Sequence, residues 1–186
     1  MRLPALKHLL SAVQSLARAR SIRVLGSSAL LASFPELGEA GEPLELSFDA
    51  DLLVEPCDEQ LAAMLHEAVG EGSLFAQRTG YHADILRPGI IESLPPGWEG
   101  RLVKLDETDA VAALSPEDLL VVKLRAGRAK DLELCRALIQ RRLVTSSAVR
   151  QRLEQTPLDE REIRLVYERL REVSSLEQIT KSPVQS

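Results

Sequence analysis

The segment SFDADLLVE, residues 47–55, constrains the fold more than any other part of the sequence. Its composition and alternation predict a β-strand, which we place at residues 44–55. A period of two residues puts the side chains of Asp49 and Asp51 on the same face, with Cβ atoms roughly 6–7 Å apart. Two like charges at that separation repel each other unless a cation lies between them. The pair therefore predicts either a Mg²⁺ site, since Mg²⁺ prefers oxygen ligands, or an edge strand with two solvated aspartates.

Periodicity, capping residues and turn residues predict a mixed α/β half followed by an all-helical half. In the first half we expect a helix over 4–19, a strand over 21–26, a helix over 27–33 capped by Ser27 or Ser28, a helix over 58–69, and strands over 73–78, 81–87 and 101–105. In the second half we expect helices over 116–126, 129–142, 146–154 and 159–173. The fold class is therefore α+β, with a mixed sheet of four or five strands and flanking helices. We expect an α/β core over 1–114, a helical region packed on it over 115–175, and a flexible tail over 176–186.

Composition excludes several classes of protein. Hydrophobic residues make up 45% of the 186 positions, which indicates a globular chain. Cys57 and Cys135 belong to no Cys/His cluster with zinc-ligand spacing, so a reduced, cytoplasmic setting is expected. No apolar run approaches the roughly 20 residues that a membrane span needs, so no membrane partner is expected.

The charge is distributed unevenly along the chain. Residues 121–152 hold nine basic and two acidic side chains, a balance of +7 in a chain whose net charge is −5. We call residues 121–152 the basic block. One interpretation is an anionic ligand such as phosphate. The other is a solvated helix face whose cations pair with acidic neighbours.

Two further sequence features accompany the aspartate pair. The segment VLGSSAL places Gly26 and Ser27 between a predicted strand and a predicted helix, where backbone amides can hold an anion. An ordinary strand-to-helix turn has the same composition. The segment YHADILR places Asp84 in another strand with His82 on the same face. A third carboxylate there can take a proton from an attacking hydroxyl, whereas His82 alone is more typical of a structural or surface histidine.

This order of motifs resembles the nucleotidyltransferase superfamily, which has the DNA polymerase β-like fold. The superfamily pattern is a hydrophobic residue followed by Gly and then Gly or Ser, later Asp-hydrophobic-Asp-hydrophobic, and then a third carboxylate. The matching residues are Leu25-Gly26-Ser27, Asp49-Ala50-Asp51-Leu52 and Asp84. The spacer of 21 residues between Ser27 and Asp49 is longer than the usual dozen or so. The extra length falls in the loop 35–46, which would gate or block nucleotide entry if it covered the site.

The second half extends the resemblance to minimal nucleotidyltransferases and to the abortive-infection, toxin-type nucleotidyltransferases of bacteria. In those proteins a helix carries a Lys, and Arg-x-Lys-Asp opens the next helix after a short break. The matching residues are Lys123, Arg128, Lys130 and Asp131, so the resemblance covers roughly residues 20–142.

The resemblance implies a specific chemistry. Asp49, Asp51 and Asp84 would bind Mg²⁺ ions that bridge the phosphates of a nucleoside triphosphate, and an attacking hydroxyl would displace pyrophosphate. The nucleotide-binding residues would be Gly26, Ser27, Ser28, Lys123, Arg128 and Lys130, with Asp131 as an ion-pair partner that orients Lys123 or Lys130. The hydroxyl acceptor would be RNA, a protein or a small molecule. A toxin-type role would add a separate antitoxin chain as partner.

Two other functions compete with this one. The first is a catalytically silent module of the same fold that binds a nucleotide or a partner protein. Keeping three carboxylates at such a site would be costly for a silent module. The second is an RNA-binding protein that uses the basic block alone, which predicts steep salt dependence without a need for magnesium. The low aromatic content, 3%, disfavours single-strand binding by base stacking.

Overall fold

The chain has the predicted α+β composition, with a five-stranded mixed sheet. The computed structural model describes residues 1–107 and 109–175; the tail predicted over 176–186 lies outside the described residues. The strands are β1 Ser21–Val24, β2 Asp49–Glu55, β3 His82–Ile85, β4 Val103–Lys104 and β5 Val111–Ala113. Their order in the sheet is β3-β2-β1-β5-β4.

The strand directions place β2 and β3 side by side in parallel. β1 pairs with β2 in the antiparallel direction and with β5 in parallel, and β4 pairs with β5 in the antiparallel direction. Within β2, Ala50, Leu52 and Val54 are buried, as the alternation predicts, but Leu53 on the other face is buried as well. Both aspartates of β2 are half-buried and lie on the other face.

The described residues form two compact units. The first contains residues 1–92 and 98–115, with the sheet and the helices α1 Leu3–Ala17, α2 Glu59–Val69 and α3 Leu74–Thr79. The second contains residues 93–97 and the chain from 116, with the helices α4 Pro116–Ala126, α5 Ala129–Gln140, α6 Ser146–Gln155 and α7 Glu160–Ser174.

Asp residues cap two of the predicted helices. The Asp58 carboxylate accepts a hydrogen bond from the Leu61 amide at the start of α2. Asp159 and Glu162 form a reciprocal capping box at the start of α7. Such caps satisfy backbone amides that have no partner within the helix. The sequence therefore predicts where both helices begin.

The strand predicted over 73–78 is wrong. These residues form the short helix α3 instead. The Ser73 hydroxyl accepts a hydrogen bond from the Ala76 amide, and Gly80 ends the helix with a φ of +79°. Capping at both ends outweighs the weak alternation of a six-residue segment, since Gly adopts this left-handed conformation without steric cost.

The region around residues 27–33 is helical, but it is a 3₁₀ helix over Ser27–Ala32 that begins after Gly26. The predicted side-chain cap by Ser27 or Ser28 is wrong, because neither hydroxyl caps the helix; Gly26 occupies the cap position.

Two strands differ from the sequence prediction. The strand predicted over 44–55 begins only at Asp49, and no sequence pattern predicts β5. Three residues are too few for an alternation to be recognised.

The loop 35–46 is held against the start of α1. Leu37 and Leu44 are buried, and a Cβ atom on Gly38 would overlap the Met1 carbonyl. An ion pair of 3.1 Å joins Arg2 to Glu39. The extra length of the predicted spacer is therefore a packed part of the first unit.

Buried ion pairs organise the second unit. The Lys123 ammonium lies 3.1 Å from one oxygen of Asp131, and the Arg128 guanidinium lies 2.6 Å from the other. The Asp131 side chain is 2% exposed and that of Lys123 is 8% exposed. Burial alone would raise the pKa of Asp131, but the hydrogen bonds from Arg128 and Lys123 outweigh it and lower the pKa. α4 and α5 are therefore joined by a desolvated charge cluster.

Within the described residues, no helix combines the length and the apolar character that crossing a membrane requires.

Replacing Asp131 tests the cost of breaking this cluster. Asp131→Asn leaves the buried ammonium of Lys123 without its anion, so we expect the free energy of unfolding to fall by about 3–5 kcal/mol. Because the pKa of Asp131 is lower in the folded chain than in the unfolded chain, the carboxylate stabilises the fold fully above about pH 4. That contribution is lost as the pH falls below this value. Urea denaturation across this pH range measures both effects.

Glu172→Gln is the control, because it removes the exposed partner of Arg136. This exposed pair should contribute at most about 1 kcal/mol. Equal losses in Glu172→Gln and Asp131→Asn would contradict a dominant role for the buried cluster.

Candidate metal centre

Three carboxylates converge on one face of the β2–β3 pair. The register of the two strands places Asp51 opposite Asp84. Asp49 lies two residues before Asp51 on the same face, because side chains alternate along a strand. One carboxylate oxygen from each of the three residues lies within 4.8 Å of the others, and all three residues are half-buried. The Asp49–Asp51–Asp84 cluster is called the acidic triad below.

Gly26 lies directly against the acidic triad. Its φ of −88° and ψ of −167° are accessible to any residue, so backbone conformation does not require glycine here. A Cβ atom at position 26, however, would overlap the Asp51 carboxylate. The neighbouring Leu25 amide donates a hydrogen bond of 2.9 Å to the Asp51 carbonyl. Any residue larger than glycine at position 26 would therefore have to shift the Asp51 side chain.

Two polar side chains border the triad. The Ser47 hydroxyl lies 3.4 Å from Asp49 Oδ1 and donates a hydrogen bond to it. His82 is the register partner of Asp49, and its Nε2 lies 3.9 Å from Asp84 Oδ1. The His82 side chain is 17% exposed. His82 lies beside the triad, as its position in the strand predicts, but its nitrogens are not members of the three-residue cluster.

The two serines after Gly26 differ in environment. Ser27 is half-buried, whereas Ser28 is 1% exposed. The Ser28 hydroxyl is buried without a hydrogen-bond partner in the described part of the chain. Their assignment to nucleotide binding stays a prediction.

The predicted nucleotide-binding cations lie in the second unit. Lys123 and Arg128 both pair with Asp131, so the predicted role of Asp131 as an ion-pair partner is confirmed for Lys123. Lys130 is exposed. A role for any of the three in holding phosphate stays a prediction.

Most of the basic block is neutralised within the second unit. Five of its nine cations pair with carboxylates of that unit: Lys123 and Arg128 with Asp131, Arg125 with Glu162, Arg136 with Glu172, and Arg152 with Asp118. The Arg125 hydrogen bond also lowers the pKa of Glu162. The interpretation of this block as a helix face that pairs with acidic neighbours therefore gains support over a free phosphate-binding surface.

The residues of the triad fit a divalent cation. Three carboxylate oxygens form the hard, anionic donor set that Mg²⁺ and Mn²⁺ accept. Without a cation the three negative charges repel one another at this range. The partial exposure of all three leaves room for water or substrate oxygens to complete a coordination shell.

The chain matches no protein-family model, no curated protein and no solved structure. The case for function therefore rests on the geometry of the site.

Gly26→Ala tests whether the close approach of Gly26 matters for metal binding. The added methyl group would displace the Asp51 carboxylate, so we expect affinity for Mn²⁺ or Mg²⁺ to fall about 10–100-fold, as when the supporting contacts of a metal ligand are lost. Isothermal titration with Mn²⁺ measures the change. Gly89→Ala is the matched control, because a Cβ atom there meets no other atom within 4 Å. Unchanged affinity in Gly26→Ala would show that Asp51 does not hold the ion.

Proposed function

We propose that the protein is a Mg²⁺-dependent nucleotidyltransferase that moves a nucleoside monophosphate from a nucleoside triphosphate to a hydroxyl acceptor. The observation that carries this proposal is the convergence of Asp49, Asp51 and Asp84, with Gly26 in contact with Asp51. Four positions of the motif pattern, from three separate segments of the chain, thus meet at one place. The same proposal includes the acceptor, which is RNA, a protein or a small molecule. It also includes a toxin-type role with a separate antitoxin chain.

Each residue of the triad has a distinct task in this proposal. Asp49 and Asp51 hold the metal, and the Ser47 hydroxyl orients Asp49 by donating to its Oδ1. Gly26 brings the backbone close to the Asp51 carboxylate, where its amide could face a bound phosphate. When bound, Mg²⁺ would neutralise charge on the triphosphate and polarise the reacting phosphorus centre. Asp84 would accept the proton of the attacking hydroxyl; His82 Nε2 lies 3.9 Å from its Oδ1.

The two alternative functions differ in whether binding requires a metal ion and in how strongly salt weakens binding. A silent module would bind nucleotide in the presence of metal but transfer no label. An RNA-binding protein would need no metal, and its affinity would fall steeply as salt rises. The internal pairing of the basic block leaves fewer free cations for such a role.

Label transfer tests the proposed activity. The protein is mixed with Mg²⁺, each α-labelled nucleoside triphosphate in turn, and a cell extract that contains RNA, protein and small molecules. We expect label on one acceptor class, lost in Asp49→Asn/Asp51→Asn because the metal ligands are gone. Exposed Glu71→Gln, outside the triad, should keep full activity. No transfer together with no metal-dependent binding of any triphosphate would contradict the proposal.

Asp84→Asn separates metal binding from proton transfer. If Asp84 is the base, this variant should lose roughly 10²–10⁴-fold in rate while keeping triphosphate binding. Binding is measured by titration with a non-hydrolysable triphosphate in the presence of Mg²⁺. An equal loss of binding and rate would instead make Asp84 a metal ligand.

A further inference from the structure

A cavity lies beyond the carboxyl ends of β2 and β3. It has a volume of about 460 Å³ and lies between the start of α2, at Cys57, Asp58 and Glu59, and the residues that follow β3, at Leu86, Arg87 and Pro88. We call it the Cys57–Arg87 groove. Its volume falls within the roughly 300–1,000 Å³ of small-molecule sites. The crevice beyond the carboxyl ends of parallel strands is a common place for ligands in open sheets.

The two walls of this groove carry opposite charges that do not pair with each other. Glu59 and Arg87 are both exposed, and neither forms an ion pair with another described residue. Asp58 adds a second carboxylate on the α2 side, where its Oδ1 accepts the Leu61 amide. With the carboxylates of Asp58 and exposed Glu59, this side of the groove suits a cationic group. The guanidinium of Arg87 suits a carboxylate, which it can hold with two parallel hydrogen bonds.

The surface between the two charged walls is partly apolar. Ala62, Ile85 and Leu86 line the groove and are half-buried. An apolar group placed there would remove hydrocarbon surface from water, which is favourable. The groove therefore presents a negative wall, an apolar floor and a positive wall.

We propose that the Cys57–Arg87 groove binds a zwitterionic ligand of the amino-acid or short-peptide type. The ammonium group of the ligand meets Glu59 and Asp58, its carboxylate meets Arg87, and its apolar side chain lies over Ile85 and Leu86. This function is independent of the acidic triad.

The thiol of Cys57 provides a built-in probe of occupancy. Cys57 is half-buried at the groove, whereas Cys135 is fully buried in the second unit. Burial raises the pKa of Cys57 and raises that of Cys135 to about 12, and Cys135 is also inaccessible, so Cys57 should be alkylated much faster than Cys135. The rate of Cys57 alkylation by iodoacetamide, followed by mass spectrometry, therefore reports on ligands in the groove.

The experiment uses L-leucine and L-leucyl-L-leucine as zwitterionic probes at millimolar concentration. Leucinamide, which has only the ammonium group, and N-acetyl-leucine, which has only the carboxylate, are the charge-blocked probes. We expect one or both zwitterions to slow alkylation of Cys57 at least about fivefold and to give a measurable heat of binding. The blocked probes should bind at least about tenfold more weakly, because each lacks one charge-assisted contact. The ratio between leucine and the dipeptide distinguishes the two sources of the zwitterion.

Variants assign the binding to the two walls. Glu59→Gln and Arg87→Gln should each weaken binding about tenfold or more, whereas the matched exposed controls Glu67→Gln and Arg78→Gln should not. The melting temperature checks that all four variants fold. Three results would overturn the proposal: no protection and no heat with either zwitterion, equal binding of a charge-blocked probe, or unchanged binding in both wall variants.

Discussion

The acidic site of the first unit depends on the hydrogen-bonded pairing of two neighbouring strands. β2 and β3 pair in parallel with Asp51 opposite Asp84, so the fold itself forces the acidic side chains together. Moving any of them to the other face would require a one-residue shift of register, which would expose the buried Ala50 and Leu52. The apolar face of β2 therefore holds the triad in place, and a bound cation would relieve its repulsion.

Gly26 is constrained by the same site, because it lies against the Asp51 carboxylate. β1 ends next to β2, and the bond from the Leu25 amide to the Asp51 carbonyl brings position 26 onto the carboxylate. A residue with a Cβ atom would have to push Asp51 away from its partners. The triad and this glycine come from three separate segments, yet each limits what the others can be. The proposed metal-dependent activity rests on this mutual dependence.

In the second unit, most cations of the basic block are paired with carboxylates of the same unit. There the sequence shows an excess of cations, but the structure pairs most of them with carboxylates inside the unit. Asp131 is nearly inaccessible to water and accepts from both Lys123 and Arg128. Such clusters are costly to desolvate and costly to break. Local net charge in the sequence therefore overstates the charge that is free for a ligand.

The sequence by itself determined the features that depend on near neighbours. The starts of α2 and α7 follow from Asp58 and Asp159, because a cap acts within three residues. The common face of Asp49 and Asp51 follows from the alternation of a strand. Only the tertiary structure decided that β5 pairs beside β1, and that Asp84 and Gly26 meet Asp51. It also decided which cations pair internally and that Glu59 and Arg87 share a groove. These are contacts between residues far apart in the chain, and their partners are chosen by strand pairing and packing, which no local pattern encodes.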